Sequence, residues 1–244
     1  MKNYIKKFLK ILSTISILSN SLFALTLMSE DYPPYNYPNK DGKPTGISID
    51  IVEKIISKTG DENSIVILPW ARSYHDIQNK ENQVLFVMTR TKTREDLFKW
   101  VGPIASNNWV LFAKNSSNIK LTSLEDAKNL NYSIGTYKND AAEIFLKNNK
   151  FENIHSVTDD NFNIKKLYKN RIDMWITGEY QGLVKVKRSK LNLKLKKLLD
   201  VKKTQLYIAF SKDISNDIIK RWQKELDLLK SNGEYQTILN KYLK

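Results

Sequence analysis

An α/β fold is predicted for this chain, with parallel sheets covered by helices on both faces. Three observations predict it. Strand and helix signals alternate from residue 25 to the C-terminus. The strand signals are short unbroken apolar runs, such as residues 84–88, which suits strands buried on both faces. The helix signals repeat apolar residues every three or four positions and stop at breakers such as Gly60 and Gly233.

The elements follow in order. Residues 25–28 form a short strand. Residues 48–59 carry Ile51, Val52, Ile55 and Ile56 on one helical face, ended by Gly60. A buried strand at 65–68 precedes a helix over 70–79, opened by Pro69. A strand at 84–88 is followed by one at 109–113 that leaves this first unit. In the second unit, Thr122 or Ser123 caps a helix at 124–128. Strands at 132–134, 154–157 and 172–176 then alternate with helices at 140–148, 161–169 and 180–186. A strand at 205–210 returns to the first unit. A helix at 215–230 turns Ile218, Ile219, Trp222, Leu226 and Leu229 inward, and a last helix spans 234–243.

The N-terminus reads as a secretory signal over residues 1–24. Lys2, Lys6, Lys7 and Lys10 precede a short apolar stretch over 11–22 and the small residue Ala24. That stretch falls short of the roughly 20 apolar residues of a membrane span. The chain has no cysteine, which excludes thiol catalysis, disulfides and a lipid-modified cysteine anchor. An exported protein of a Gram-negative periplasm is expected.

The net charge is +14, with 40 basic and 26 acidic residues. The four signal lysines account for part of the surplus. Nucleic acid is not an expected partner, because the lysines are scattered and an exported protein seldom meets it. The densest run, residues 185–203, reads as a solvated face. Such a surface would steer an anionic solute toward the protein. His75 and His155 stand alone, so no metal site is expected. No serine sits in a strand–turn–helix elbow. Neither an enzyme nor a cofactor is called for.

In parallel α/β sheets, ligands bind beyond the carboxyl ends of the strands. The loops after Met28, Leu68, Met88, Gly135 and Ile176 are therefore the places to search. The first holds Glu30-Asp31-Tyr32-Pro33-Pro34-Tyr35, in which two prolines fix the direction of the flanking aromatics. Tyr32 or Tyr35 either walls a ligand or packs under the loop. The third holds Thr89-Arg90-Thr91-Lys92-Thr93-Arg94-Glu95. Its hydroxyls and free N–H groups suit an anion, and Arg94 offers a planar fork for a carboxylate. A plain surface arginine is the alternative.

These residues carry a resemblance. Asp31-Tyr32-Pro33-Pro34-Tyr35 and Gly42-Lys43-Pro44-Thr45-Gly46-Ile47-Ser48-Ile49-Asp50-Ile51 resemble the opening of the bacterial extracellular solute-binding proteins, family 3. Pro69-Trp70-Ala71-Arg72, Thr89-x-Thr91-x-x-Arg94, Trp100-Val101-Gly102-Pro103, Gly135 and Arg171-Ile172-Asp173 continue it in order.

The resemblance implies a two-lobed periplasmic-binding-protein-like (type II) fold with two hinge crossovers, near residues 112–115 and 204–207. Lobe 1 would comprise 25–113 and 205–244, and lobe 2 residues 114–204. It implies that Arg94 binds an α-carboxylate with Thr89 and Thr91 nearby, and that Tyr32 and Trp70 line the cleft. The second lobe departs from the family pattern. Asn139-Asp140-Ala141 stands where a Gly-Ser/Thr-Thr run is usual, and Gly178 stands where an aspartate usually meets the ligand ammonium. Glu179 or Asp140 would replace that aspartate, and Asp140 also suits a helix cap. Tyr137 would add an aromatic wall, as would Trp175 unless it is core.

The function implied is capture of a small carboxylate, such as an amino acid, by a monomer that delivers it to an inner-membrane ABC permease. The alternatives are an enzyme on the same scaffold, resembling cyclohexadienyl dehydratase with Glu179 as its acid, and a chemoreceptor or sensor ligand-binding protein.

Overall fold

The computed structural model describes residues 24–61 and 63–243. The expected signal peptide lies outside them apart from Ala24. The first half runs β1 (Leu25–Ser29), β2 (Tyr37–Pro38), β3 (Pro44–Thr45), α1 (Ile47–Thr59), β4 (Asn63–Ile67), α2 (Trp70–Asn79), β5 (Gln83–Thr89) and a 3-10 turn at Glu95–Leu97. The long β6 (Lys99–Lys114) follows. Next come α3 (Leu124–Asn129), β7 (Ile134–Tyr137), α4 (Ala141–Asn148), β8 (Ile154–Val157), α5 (Asn161–Tyr168), β9 (Met174–Gly178) and α6 (Glu179–Arg188). The chain closes with β10 (Leu195–Phe210), α7 (Asn216–Ser231) and α8 (Glu234–Tyr242).

Eight strands hydrogen-bond in the order β4-β1-β5-β10-β6-β9-β7-β8. The pairs β1–β4, β1–β5, β7–β8 and β7–β9 are parallel, as the alternation of elements predicts. The two middle strands are not. β10 runs antiparallel to both β5 and β6, and β6 antiparallel to β9. Both middle strands are 16 residues long, far beyond the short segments expected at 109–113 and 205–210. Their polar and charged residues hid that length. The pairing runs through Lys202, Lys203 and Thr204 opposite Trp109, Asn108 and Asn107, where ladder hydrogen bonds, not apolar burial, hold the strands.

Apolar residues gather separately on the two sides of this ladder. One core packs Leu27, Val84, Phe86, Val101 and Phe210 of the sheet against Ile51 and Ile55 of α1 and Trp222 of α7. Trp222 meets Phe210 edge-on at 5.1 Å and donates its indole N–H to Asp61 at 2.7 Å, which fixes α7 on the sheet. The second core joins Trp109, Leu111, Ala127, Ile134, Leu146 and Ile176. Trp109 and Leu111 thus belong to the second core, and Phe112 packs on Trp175. Along β6 the chain passes from the first core at Ala105 to the second at Trp109. Ser123 is the cap of α3 and forms a full capping box with Asp126.

Candidate functional site

The parallel strands of the first half, β1, β4 and β5, run opposite to β7, β8 and β9 of the second, and loops that follow the two sets meet between the halves. From the first half, β1 delivers Glu30 and Tyr32. The turn that carries them closes on itself: the Tyr32 N–H donates to the Asn36 carbonyl at 2.7 Å, and the Asn36 amide donates to the Glu30 carbonyl. Asn36 is in turn held by the Ser48 hydroxyl at 2.9 Å. Glu30 is buried, and the Tyr32 hydroxyl accepts from Asn107 Nδ2 at 3.2 Å. Tyr35 goes elsewhere. It is buried in the first core and donates to the Ser106 carbonyl at 2.9 Å, so it does not wall the cleft.

The end of β4 places Trp70 at the start of α2, stacked on Tyr74 with ring centroids 5.2 Å apart. Strand β5 carries a bulge at Val87, which is skipped in the pairing with β10 and has φ 66°. A β-branched residue rarely adopts that conformation, and such strain collects at ligand sites. Thr89 follows, and its carbonyl accepts from Arg94 Nη1 at 3.1 Å. Arg94 is 2% exposed. Its guanidinium carbon lies 5.0 Å from the ring centroids of both Trp70 and Tyr74. No carboxylate of the described residues forms an ion pair with it within 4.0 Å. Thr91 turns away: its hydroxyl meets that of Thr93 at 3.0 Å, and it lines a wide recess of about 950 Å³ with Lys92, Asn108, Tyr180 and Lys203.

The second half supplies the opposing wall. Asn139 sits at φ 61°, its N–H held by the buried Glu143 carboxylate at 2.6 Å. This geometry turns the Asn139 carbonyl toward the first half. It accepts from Trp70 Nε1 at 3.2 Å and stands 3.5 Å from Arg94 Nη2, the outer limit of a hydrogen bond. The Tyr137 hydroxyl accepts from the Trp70 N–H at 3.4 Å. Asp140 caps α4, accepting from the Ala142 N–H at 3.3 Å. At the rim, Arg188 pairs with Asp31 at 3.1 Å. The two halves therefore touch across the cleft.

Two residues follow the other of the alternatives that the sequence left open, exposure for Glu179 and core for Trp175. Glu179 points out of the cleft, accepting from Lys197 at 2.8 Å and Asn108 at 3.2 Å. Trp175 is core, with its indole N–H donated to Asp160. Gly178 has its own reason to lack a side chain. A Cβ there would lie 2.6 Å from Asn107 Oδ1 and 2.8 Å from the Tyr32 hydroxyl. An aspartate at this position would displace the contacts that join the halves.

Three groups in the cleft escape the sequence reading. Asp160, after β8, is 3% exposed and accepts from Asn163 at 2.9 Å, Trp175 at 3.0 Å and Gln181 at 3.2 Å. Lys185 is 6% exposed instead of solvated. Glu30 is the third. A small void of about 10 Å³ lies between Tyr32, Tyr137, Asp140, Asp160 and Gln181. Beyond Tyr137 and Asp160 opens a chamber of about 310 Å³, lined by Glu30, Leu68, Asp159 and Lys185 among others.

Burial governs the charges here. It pushes the Glu30 carboxyl up to about 8, and Asp140 and Asp160 add to the rise while Lys185 opposes it. Asp140 is raised by burial against the pull of Arg94. Asp160 is raised by burial against the pull of Lys185. Among the described residues no cluster suits a metal ion, and no helix is long and apolar enough to cross a membrane.

Comparison with known proteins agrees with this architecture. A family model described as bacterial extracellular solute-binding proteins, family 3, matches residues 25–244. A probable histidine-binding protein of Campylobacter jejuni is 24% identical over 219 residues, covering 87% of this chain and 81% of that one. A histidine kinase sensor domain with similarity to periplasmic binding proteins superposes with a TM-score of 0.84 at 16% identity, over 91% of this chain and 96% of that one. An ancestral arginine-binding protein bound to arginine gives 0.79 at 21% identity, over 91% and 98%.

Proposed function

The chain belongs to the bacterial extracellular solute-binding proteins, family 3, and on that premise we propose that it captures an amino acid in the periplasm and delivers it to an ABC importer of the inner membrane. The observation that carries this reading is Arg94. A guanidinium costs much to bury without an anion. Here it is 2% exposed, flanked by Trp70 and Tyr74, and among the described residues answered only by carbonyl oxygens and a more distant Asp140. A ligand carboxylate fits the planar fork through two charge-assisted hydrogen bonds. Tyr32 and Tyr137 wall the ligand, and the Asp140 and Asp160 carboxylates answer its ammonium in place of the aspartate missing at Gly178.

Capture proceeds by closure. Lobe 1 carries Tyr32, Trp70, Thr89 and Arg94, and lobe 2 carries Tyr137, Asn139, Asp140 and Asp160. The hinge is where residues 105–109 run beside residues 202–206. A ligand held by both lobes stabilises the closed form over the open one. The closed protein, a monomer, then docks on the permease. A thermal-shift panel of the twenty amino acids tests this: at least one raises Tm by several degrees, and a panel without any shift overturns the reading.

One observation favours a second reading, an enzyme on the same scaffold. A dehydratase needs a protonated acid in the cleft, and Glu30, not Glu179, meets that need. Turnover of a cyclic prephenate-like acid, lost in Glu30→Gln, would establish it.

A further inference from the structure

We propose that Asp31 and Arg188 form an ion-pair latch at the rim, seated on Tyr37, which holds the two halves together and slows release of the captured solute. The inference rests on the amino-acid reading above and adds to it what sets the lifetime of the bound state.

The two partners come from ordered elements of opposite halves. Asp31 stands between Glu30 and Tyr32, inside the turn that closes through Asn36. Arg188 lies in the last turn of α6. Gln181, Lys185 and Arg188 follow one another at helical spacing, so they share one face of that helix. Gln181 and Lys185 are buried in the cleft, and Arg188 emerges at its edge. Its Nη1 donates to Asp31 Oδ1 at 3.1 Å, and its guanidinium carbon lies 5.0 Å from the Tyr37 ring centroid. Tyr37 belongs to β2, which pairs with β3, so the ring is fixed to the first half. Asp50, another carboxylate near Tyr37, is taken by Lys241 at 2.8 Å and does not compete for the arginine. A cation at a helix C-terminus is favourable in itself. That placement does not require the reach over Tyr37 to Asp31.

This contact differs in kind from the others between the halves. Trp70 meets Asn139 and Tyr137 through bonds between uncharged groups. Every other ion pair found among the described residues joins two residues of the same half. The Arg188 and Asp31 side chains are 40% and 38% exposed, so salt reaches the pair and screens it. An exposed ion pair and an exposed cation–π contact together shift an equilibrium several-fold. Both must break before the halves part, so the factor enters the rate of release. Asp31 borders the chamber and Arg188 does not. Arg188 is therefore the partner whose loss leaves the ligand's own contacts in place.

Stopped-flow tryptophan fluorescence tests the latch, with whichever of the twenty amino acids raises the wild-type Tm most. Arg188→Gln is expected to release it about three- to tenfold faster at low salt. Asp31→Asn should do the same, and the double variant should be no faster than either alone, because each substitution removes one shared contact. The exchanged pair, Asp31→Arg with Arg188→Asp, should recover most of the slow release. In about 1 M NaCl the wild type should approach the rate of Arg188→Gln, which itself changes little with salt. Wild-type release in Arg188→Gln, additive effects of the two substitutions, or release from the wild type that ignores salt would each overturn the latch while amino-acid capture stands. Additivity would mean that Asp31 meets the ligand and not Arg188. If the wild type binds none of the twenty, the parent reading falls, and small-angle scattering of the ligand-free chain decides on the latch. A larger radius of gyration for Arg188→Gln than for the wild type at low salt supports it, and equal radii overturn it.

Discussion

The carbonyl oxygen of Asn139 accepts from Trp70 Nε1 at 3.2 Å and faces Arg94 Nη2 at 3.5 Å, so one backbone atom of the second half engages two side chains of the first. Asn139 reaches across because Glu143 holds its N–H in a left-handed turn just ahead of α4. The contact between the halves is therefore made by the backbone, at the position where the resemblance led one to expect hydroxyl side chains.

Trp70 contributes both a ring and a donor to this arrangement. Trp70→Phe keeps an aromatic face near Arg94 and loses the bond to Asn139, worth about 0.5–1.5 kcal/mol. Trp70→Ala also loses the cation–π contact, about 0.5–2 kcal/mol more. Calorimetric affinity is expected to fall several-fold in the first variant and further in the second. Equal losses in both would show that the ring contributes nothing.

Glu179 faces away from the cleft, toward Lys197 and Asn108. Glu179→Gln should leave ligand affinity within about twofold, since exposed ion pairs contribute about 0–1 kcal/mol. A tenfold loss would return this residue to the site.

Asp160 organises the second half from beneath the chamber. Asn163, Trp175 and Gln181 all donate to it. Asp160→Asn sets an amide N–H₂ against these donors and should cost about 1–3 kcal/mol. At about 2–4 °C per kcal/mol for a chain of this size, the melting temperature drops by several degrees. An unchanged melting curve would mean that the three donors find other partners.

Glu30 makes the ligand-free protein pH-sensitive. Its folded pKa, about 8, lies above the ordinary 4.5, so the folded form binds the proton more tightly than the unfolded one. Its contribution is most favourable below 4.5 and is lost progressively as pH rises to 8. Glu30→Gln should match the wild type in Tm near pH 4 and exceed it at pH 8 and above. A variant less stable than the wild type at pH 8.5 would contradict the burial of an uncompensated carboxyl.

Much of this was legible in the sequence, for physical reasons that differ by residue. Short runs rich in apolar residues located β1, β5 and β9, and the glycines at 60 and 233 set helix boundaries through their left-handed conformations. The middle of β6 and β10 was hidden, because residues such as Asn107, Asn108, Lys202 and Lys203 carry no apolar signal where strands hold by backbone bonds alone. Arg94, Trp70, Tyr32, Tyr137 and Asp140 do gather at the cleft. Tyr35 and Glu179 do not, because sequence adjacency says nothing of which way a side chain turns at a strand end. Lys185 was lost in a basic run. Its signal was the four-residue step from Gln181, which puts both on the inward face of α6. Asp160 follows β8, whose sequence Ile-His-Ser-Val gives no continuous apolar run to mark its carboxyl end as a place for a ligand, although it is a parallel strand like the others.

Arg94→Ala, titrated by calorimetry against the amino acid that the wild type binds most tightly, tests the central claim most directly. Loss of two charge-assisted bonds at about 1.5–3 kcal/mol each predicts at least a hundredfold weaker binding with the fold intact by circular dichroism. Wild-type affinity in that variant would contradict the account, since the buried guanidinium would then not be the anchor of the ligand carboxylate.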